Sequence, residues 1–529
     1  MFVWMRVNLT DFTVEQEGFS GTSGDFGQLY VTTGSDPLPH ISELRHAEYA
    51  QAVEVDAKKR RVRFGRDYLG HYPLLYGHSE RYLYLSDDLS WIKKALEQDG
   101  FGITVNEEAL GFYFCTGYIP QGLSAYAQIT TCEAATLYQW CAGRISKTSL
   151  FQPVEVDPSW TVTDLDASIE EQAVRFARGQ PEIDVWCSGG LDSSIMAHCF
   201  NSNGRRAELL TLGYGDAIHD QYGDGERSYA LEVAFACNTN IRDIAYDERK
   251  FEATHRLFIN THHSPVVDTC VTPKYALAEA SRSFVVTGEG GDNLFGGPKN
   301  NQMLYVQHEC PSLPVGRLYV LAHNRFASRL SEILVRGESL LDHVSDYYEK
   351  WMAFFPGELI RKLFYMNITL KAAGMIFPQS YYASRRYGIS ARHPIASLGV
   401  YRAAFRLADE HKYRYPRNKL CLLELYRNRL PRSIIERRKS GTMLPLRHYL
   451  NSLPAERFSY DYLHATGFFV PEFLERMGTP QAIEADPLLV YGLMTLNMWF
   501  NQKGETSDVE HLSAESRSYE QSYARVGLQ

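Results

Sequence analysis

The sequence predicts a two-domain α/β protein, in which a β-rich domain precedes a doubly wound parallel sheet with a helical C-terminal extension. Three observations predict this fold class. Short apolar runs separated by turn clusters fill the first 155 residues, strands alternate with helical stretches from residue 183, and helical patterns dominate beyond residue 300. The predicted divisions are residues 1–155, 160–505 and a tail at 506–529.

The first domain is expected to contain strands wherever apolar or aromatic residues cluster, at Gly27–Thr33, Arg81–Leu85 and Ala135–Trp140. Glycine-rich stretches at Gly21–Asp25 and Gly34–Pro37 are predicted to be turns. A polar, proline-bearing bridge, 152–158, then ends the domain.

The second domain shows the alternation that is typical of βαβ units and a parallel sheet. Strands are predicted at Ile183–Cys187, Glu208–Gly213, Ile241–Tyr246 and Phe284–Thr287. Helices are predicted at Ser193–Phe200, Glu226–Ala236 and Leu341–Phe355. The Ser/Glu/Arg/Tyr-rich residues from 506 have no periodicity and are expected to fray.

Composition excludes several classes of protein. The chain has 529 residues, 54 Lys+Arg and 63 Asp+Glu, so its net charge is −9 and no overall basic face favours nucleic acid or anionic membrane. The longest apolar stretch, 488–500, has 13 residues and is too short for a membrane span. Nine cysteines without a CxxC pair indicate a reducing compartment, and a cytoplasmic location is expected.

The strongest motif is the run Ser188-Gly189-Gly190-Leu191-Asp192-Ser193-Ser194, which follows an apolar strand and begins a helix. Adjacent glycines let backbone N–H groups wrap an anion, and a helix N-terminus adds further N–H groups and a positive dipole end. The three serines offer hydroxyl donors to phosphate oxygens. Because a carboxylate repels bare phosphate, Asp192 predicts a bridging Mg²⁺.

The second motif, Thr287-Gly288-Glu289-Gly290-Gly291-Asp292-Asn293, also follows an apolar strand. In a parallel sheet both loops lie at the carboxyl ends of their strands, where ligands bind. Asp192 and Asp292 are therefore expected to converge on one metal ion, although 100 residues separate them.

Together these motifs resemble the asparagine synthetase family, whose synthetase domain has the pyrophosphate-loop type of ATP site. The N-terminal run beginning Arg66-Asp67-Tyr68-Leu69-Gly70 resembles that family's glutaminase-type domain, and later runs at 117–120, 391–394 and 437–439 also match. The resemblance implies an N-terminal glutaminase-like α/β sandwich of the N-terminal-nucleophile type and an ATP-pyrophosphatase synthetase domain, with ATP and Mg²⁺ as cofactors.

Three departures from the family bear on the substrate. The family's nucleophilic cysteine follows the initiator Met, whereas here Phe2 does and the first cysteine is Cys115. Asn293 replaces the last acid of the second glycine motif, and Ser397 replaces an aspartate after the Ala391-Arg392-His393-Pro394 run. These losses resemble branches in which the substrate carries its own amine, and the GGDN form resembles lasso peptide cyclases. The β-lactam branch has Tyr in place of Glu289.

The resemblance implies roles for further residues. Lys439 would face the reacting acyl group and phosphates, and Glu289 would act as a base or position the amine. The predicted ATP site comprises Ser188, Gly189, Gly190, Leu191, Asp192, Ser193, Ser194, Leu212, Gly288 and Lys419. Arg437 and Arg438 are open between surface and site positions. His262 and His263 point apart without a third ligand and are predicted to be loop or core residues.

The expected reaction adenylates a carboxylate with ATP and joins it to an amine. For a lasso peptide macrolactam synthetase, these groups are an Asp or Glu side chain and the N-terminal amine of a precursor peptide. Partners could then include a leader peptidase and a leader-recognition protein, with no nucleic acid and no membrane. The alternatives are a small-molecule amide or β-lactam synthetase, an ammonia-dependent asparagine synthetase, and a catalytically inactive binding protein.

Overall fold

The N-terminal domain consists of two antiparallel sheets in a computed structural model, which describes residues 2–24, 27–33, 38–202, 205–214, 226–437 and 444–501. Its strands are β1 (Trp4–Asn8), β2 (Val14–Glu17), β3 (Ser20–Gly24), β4 (Gly27–Thr33), β5 (Ala50–Asp56), β6 (Arg61–Arg66), β7 (Leu75–His78), β8 (Tyr82–Ser86), β9 (Thr130–Thr131), β10 (Thr136–Cys141) and β11 (Arg144–Ser149). The sheet orders are β2-β1-β8-β7-β9 and β11-β10-β6-β5-β4-β3.

The two sheets pack face to face through alternate apolar residues. Val7 of β1 and Leu83 of β8 are fully buried, as are Val53 of β5 and Phe64 of β6, and all four belong to one core cluster. This alternation is the pattern expected of half-buried antiparallel strands. The sandwich is completed by the helices Leu89–Gln98 and Glu107–Thr116 and the 3₁₀ helix Ile41–His46.

One predicted turn is wrong. Residues 21–24 of the stretch Gly21–Asp25 belong to β3, which pairs antiparallel with β4 from Ser20 opposite Val31 to Gly24 opposite Gly27. Backbone pairing at a sheet edge overrides the weak strand propensity of Gly and Ser. The predicted turn at Gly34–Pro37 and the tail 506–529 lie outside the described residues.

The second domain is built on a five-stranded parallel sheet of order β14-β13-β12-β15-β16. Its strands are β12 (Ile183–Trp186), β13 (Ala207–Gly213), β14 (Ile241–Ala245), β15 (Phe284–Thr287) and β16 (Ser390–Arg392). The chain runs outward from β12 in one direction and from β15 in the other, so the order reverses between these two strands. Ligands bind at such switch points, and both glycine motifs follow the strands that form this one.

Helices fill the rest of the described second domain, which confirms the predicted fold class. Those around the sheet and the site are Val162–Ala177, Leu191–Asn201, Arg227–Ala236, Glu248–Thr261, Val271–Ala280, Gly291–Phe295, Phe377–Arg386 and Leu398–Arg406, with a π-helix at Asn367–Ile376. The others are Pro298–Glu309, Val315–Ala322, Leu330–Ile333, Gly337–Phe354, Leu359–Met366, Asp409–Lys412, Leu420–Tyr426, Arg432–Glu436, Leu446–Asn451, Asp461–Thr466, Pro471–Met477, Pro480–Ala485 and Pro487–Phe500.

Small elements complete this region: 3₁₀ helices at Ala327–Arg329, Pro394–Ala396 and Ala455–Phe458, and a two-stranded ribbon of β17 (Tyr413–Arg414) and β18 (Arg417–Asn418). Within the described parts of the chain, no helix combines the length and apolar character needed to cross a bilayer.

Candidate active site

The first glycine motif forms the turn between β12 and the helix Leu191–Asn201. No side chain caps the N-terminus of this helix, so its first N–H groups face the turn without a side-chain acceptor. The N–H of Gly190 donates to Ser188 Oγ at 3.3 Å, and Ser193 Oγ donates to the carbonyl of Gly190 at 3.0 Å. These bonds shape a loop with the donors that an anionic phosphate needs.

The second motif lies directly against the first. A Cβ atom at Gly288 would lie 2.4 Å from the backbone nitrogen of Ser193, and one at Gly291 would lie 2.4 Å from Cγ of Asp192. Any side chain at these positions would push the two loops apart. Glycine is therefore required at both positions for the two loops to approach each other. This close approach places Asp192 next to the loop that bears Asp292.

The predicted convergence of Asp192 and Asp292 occurs around Lys419. The Lys419 ammonium lies 2.5 Å from Oδ2 of Asp192 and 2.5 Å from Oδ1 of Asp292. Burial alone would lower the pKa of Lys419, but the two carboxylates outweigh it and raise the pKa above the usual value. Lys419 was predicted to bind ATP, and the structure places it between the two predicted metal ligands.

Lys419 is held there by its backbone. Its φ of 58° is left-handed, it precedes the helix Leu420–Tyr426, and its N–H donates to the carbonyl of Phe295 at 3.2 Å. A non-glycine residue in this conformation carries about 1 kcal/mol of strain, and such strain is common at functional sites. The bond to Phe295 ties Lys419 to the end of the helix that begins with Asp292's loop.

The acid pair fits a magnesium ion. Asp192 Oδ1 is buried and has no hydrogen-bond partner within the described residues. Mg²⁺ prefers oxygen ligands and is often held by one or two carboxylates together with substrate phosphates and water. Among the described residues no group of three or more His, Cys, Asp or Glu could hold a metal, so the protein ligands proposed here are the two acids alone.

The remaining predicted ATP-site residues are placed unequally. Arg437 donates to the carbonyl of Ser188 at 3.3 Å and covers the ring of Tyr229 at 4.0 Å, so it lies at the phosphate loop. Leu212 lies near the carboxyl end of β13, beside the strand that leads into this loop. Ser194 is fully buried, which disfavours its hydroxyl as a phosphate donor. Lys439 and Arg438 lie outside the described residues.

Glu289 is at the centre of a second cluster. Its Oε1 pairs with the ammonium of Lys274, its Oε2 accepts from Ser380, and His393 Nδ1 lies 3.6 Å from Oε2. His393 Nδ1 is also 2.7 Å from Thr287 Oγ1. Burial, reinforced by nearby basic side chains, holds the pKa of His393 well below its usual value, so the ring is neutral. Both oxygens of Glu289 are thus held by donors.

Lys274 connects this cluster to the core. Its ammonium donates to Gln379 Oε1 at 2.7 Å, and Gln379 Nε2 donates to Asp268 Oδ2 at 3.1 Å. Lys274 and Ser380 were missed by the sequence reasoning because neither lies in a motif. Lys371 was also missed: burial and the charge of Arg325 lower its pKa to about 8, and Asp292 partly offsets them.

Two of the departures from the family have structural roles here. Asn293 donates to the carbonyl of Asn367 at 2.8 Å and so joins the second glycine loop to the π-helix. Ser397 caps the helix Leu398–Arg406 by accepting from the N–H of Val400 at 3.3 Å. Both side chains are buried. Neither therefore offers a carboxylate to a substrate amine.

The paired histidines are core residues, in agreement with the prediction. His262 and His263 are each 4% exposed, and their rings lie 4.9 and 5.2 Å from the ring of Tyr382. Burial lowers the pKa of both. They pack against Tyr382 on the helix that carries Ser380.

A search against protein-family models matches residues 165–501 to the asparagine synthase family. The chain belongs to this family. It is 22% identical over 469 residues to asparagine synthetase [glutamine-hydrolyzing] 1 of Bacillus subtilis, covering 79% of this chain and 73% of that protein. It is 27% identical over 254 residues to a putative asparagine synthetase of Methanocaldococcus jannaschii, covering 46% and 48%.

The solved structures add little. A U34-tRNA thiolase, NcsA, from Methanococcus maripaludis aligns with 41% of this chain and 80% of its own at 12% identity, and its TM-score of 0.22 is too low to bear on fold or function. Family membership is what assigns the chemistry. Asparagine synthase-family enzymes are ATP-dependent ligases that form C–N bonds and release AMP and pyrophosphate, and this chain is an ATP-dependent amide ligase.

Proposed function

We propose that this amide ligase is a macrolactam synthetase of the lasso peptide type. It would adenylate an Asp or Glu side chain of a precursor peptide and join it to the peptide's N-terminal amine. The observation that carries the proposal is that Asn293 and Ser397 hold structural positions where the family resemblance expects carboxylates, which disfavours aspartate as the substrate. A second observation concerns three of the thiols. Burial raises the pKa of Cys115, Cys187 and Cys421 to about 12, which disfavours the thiolate that glutamine hydrolysis would need.

The residue at position 2 also argues against glutamine hydrolysis. Phe2 occupies the place where the family resemblance expects the nucleophile, and its ring lies 6.2 Å from Tyr382 and 6.0 Å from the guanidinium of Arg385. The side chain is an apolar contact between the first domain and the helix Phe377–Arg386. An amine carried by the substrate removes the need for ammonia from glutamine.

The first half-reaction would take place at the two glycine loops. Their N–H groups and Arg437 would hold the phosphates of ATP, and Asp192 and Asp292 would hold Mg²⁺, which neutralises phosphate charge when bound. The Lys419 ammonium, which lies between these two acids, would stabilise the negative charge of the departing pyrophosphate. Attack of the peptide carboxylate on the α-phosphorus breaks the α–β bond and gives acyl-adenylate and pyrophosphate.

The second half-reaction would use the Glu289 cluster. Both oxygens of the Glu289 carboxylate are already engaged, one by the ammonium of Lys274 and the other by the hydroxyl of Ser380. We therefore assign Glu289 to binding the substrate's amino group rather than to removing its proton. Attack of the neutral amine on the acyl carbon forms the C–N bond, breaks the bond from that carbon to the phosphate oxygen, and releases AMP together with the proton that the nitrogen loses. Holding both ends of one peptide in a closed site makes this step intramolecular, and such proximity is worth about 7–11 kcal/mol of the barrier.

The decisive experiment incubates the full chain with ATP, Mg²⁺ and a leader-trimmed peptide encoded beside the gene, and follows the loss of one water by mass spectrometry. AMP and pyrophosphate should appear in equal amounts with the cyclic product. Asp192→Ala and Asp292→Ala should abolish turnover. Asp164→Ala, which removes the N3 partner of the capping box of the helix Val162–Ala177 in the same domain, should lower stability slightly and leave turnover intact.

A second candidate is a small-molecule amide or β-lactam synthetase, or an ammonia-dependent asparagine synthetase. The names of the relatives favour asparagine as the product, although those names specify glutamine as the source of nitrogen. Asparagine formed from aspartate, ATP and ammonium ion, without cyclisation of any neighbouring peptide, would establish it and overturn the macrolactam proposal. A leader peptidase and a leader-recognition protein remain proposed partners, to be tested by co-purification with the tagged chain.

A further inference from the structure

The N-terminal domain reaches the Glu289 cluster through a stack of four rings. The ring centroids of Tyr49 and His71 are 4.1 Å apart, those of His71 and Phe377 are 4.6 Å apart, and those of Phe377 and His393 are 5.0 Å apart. Tyr49 and His71 belong to the first domain, and Phe377 and His393 to the second. All four side chains are buried.

Hydrogen bonds fix this stack at both ends. The backbone N–H of His393 donates to the hydroxyl of Tyr49 at 2.8 Å. The ring of His71 lies between two oxygens, with Nδ1 3.0 Å from Asp67 Oδ1 and Nε2 3.3 Å from the carbonyl of Ala396. Burial would raise the pKa of Asp67, but hydrogen bonds from His71 and Tyr72 lower it below the usual value. The first domain thus holds residues 393 and 396 of the loop that backs Glu289.

We propose that Tyr49 and His71 are positioning residues for the amine-joining half-reaction, acting through His393 on Glu289. This inference rests on the proposed role of Glu289. A domain of the glutaminase type would then serve the synthetase site by setting the place where the acceptor amine binds. The adenylating loops do not touch Tyr49 or His71 in any described contact, so adenylation should not depend on these residues.

Tyr49→Phe tests the hydrogen bond between the domains by itself, because it deletes only the hydroxyl that accepts from His393 and keeps the ring stack. We expect peptide cyclisation to fall about tenfold in kcat with little change in KM for ATP, since small misplacements of reacting groups cost factors of this order. Hydroxylamine at saturating concentration reacts with the acyl-adenylate to give a hydroxamate and does not need a positioned peptide amine. The rate of hydroxamate formation by Tyr49→Phe should therefore remain within about twofold of wild type.

Tyr68→Phe is the matched control. Tyr68 is also a buried tyrosine of the first domain, and its hydroxyl bonds the backbone of Gln152 at 3.0 Å, far along the chain from His393. Both variants lose a phenolic hydroxyl, but that of Tyr68 makes two backbone hydrogen bonds and that of Tyr49 accepts one, so Tyr68→Phe should lower the melting temperature at least as much as Tyr49→Phe. Only Tyr49→Phe should separate cyclisation from hydroxamate formation.

The outcomes are distinct. Equal loss of cyclisation and hydroxamate in Tyr49→Phe, or equal kinetics in Tyr49→Phe and Tyr68→Phe, overturns the positioning role. His71→Gln should retain more cyclisation than His71→Ala, because its amide can still donate to Ala396; no such rescue would also count against the proposal. If Glu289→Gln cyclises peptide normally, the assigned role of Glu289 fails. If Glu289→Gln is impaired and Tyr49→Phe is not, the present inference fails alone.

Discussion

Removing the Lys419 charge tests the geometry of the ATP site most directly. Each of two carboxylates lies 2.5 Å from the same nitrogen, so their oxygens are no more than about 5 Å apart. In Lys419→Met these two anions lose the cation between them. At an effective dielectric constant of about 20, two charges at that separation repel by about 3 kcal/mol. Because Asp292 is 38% exposed, solvent screening lowers the expected cost to about 1–2 kcal/mol.

The assay is thermal unfolding of the variant with and without millimolar Mg²⁺ and no nucleotide. In the wild type the ammonium competes with Mg²⁺ for both acids, so added magnesium should raise the melting temperature little. In Lys419→Met the apo protein should melt several degrees lower, and magnesium should recover most of the loss by occupying the same oxygens. Adenylation should nevertheless be lost, because the cation that stabilises the departing pyrophosphate is absent.

Lys412→Met provides the control. Lys412 is fully buried and its ammonium lies 2.8 Å from Asp409, but its other described contacts are the rings of Phe364 and Phe405 rather than a second acid. It should destabilise the protein without creating a response to magnesium. A Lys419→Met protein with wild-type stability and no stronger magnesium response would refute the reasoning, since the two acids would then not form a shared cation site.

Four further outcomes are expected. Glu289→Gln should form adenylate normally and lose about 10²-fold in amide formation, measured by hydroxamate and product assays in parallel. Glutamine should yield no glutamate above background, and activity surviving replacement of all nine cysteines would contradict this. Lys439→Met should bind ATP with modest loss and form almost no cyclic product; a near-normal rate would make Lys439 a surface residue. Burial lowers the pKa of His255 to about 3, so below about pH 6.5 the unfolded chain binds a proton at this residue that the native chain does not; its contribution should lower stability by about 1 kcal/mol at pH 5.5, and His255→Gln should lose less stability than the wild type over the same pH range.

The sequence alone predicts the arrangement of the site where a local motif and the order of the strands indicate the same position. Each glycine motif follows an apolar strand, and parallel strands end at one edge of a sheet, so the meeting of Asp192 and Asp292 could be predicted from order alone. The position of Lys419 between them could not. It depends on a left-handed backbone at residue 419 and on a hydrogen bond to Phe295. Neither can be recognised in the sequence, because residues 401–450 contain 13 Lys and Arg and nothing distinguishes Lys419 among them.

The Glu289 cluster shows the same limit more sharply. Lys274 and Ser380 lie on two different helices, and their side chains meet Glu289 only after those helices pack. Neither has a neighbouring residue that marks it as functional. The error at β3 has a similar origin, since five Ser, Gly and Thr residues form a strand only because β4 offers them a partner.

One loop links the two halves of the reaction. Glu289 and Asp292 are three residues apart in the segment after β15, so the Glu289 cluster and the proposed metal-binding acid Asp292 share a short stretch of backbone. That segment is wedged between two surfaces: a Cβ at Gly291 would meet Asp192, and one at Gly290 would lie 2.3 Å from Ala396. Ala396 is in turn bonded to His71 of the first domain. Asp192 therefore limits the movement of the Asp292 end of this segment, and the N-terminal domain, through Ala396, limits the movement of the end that bears Glu289.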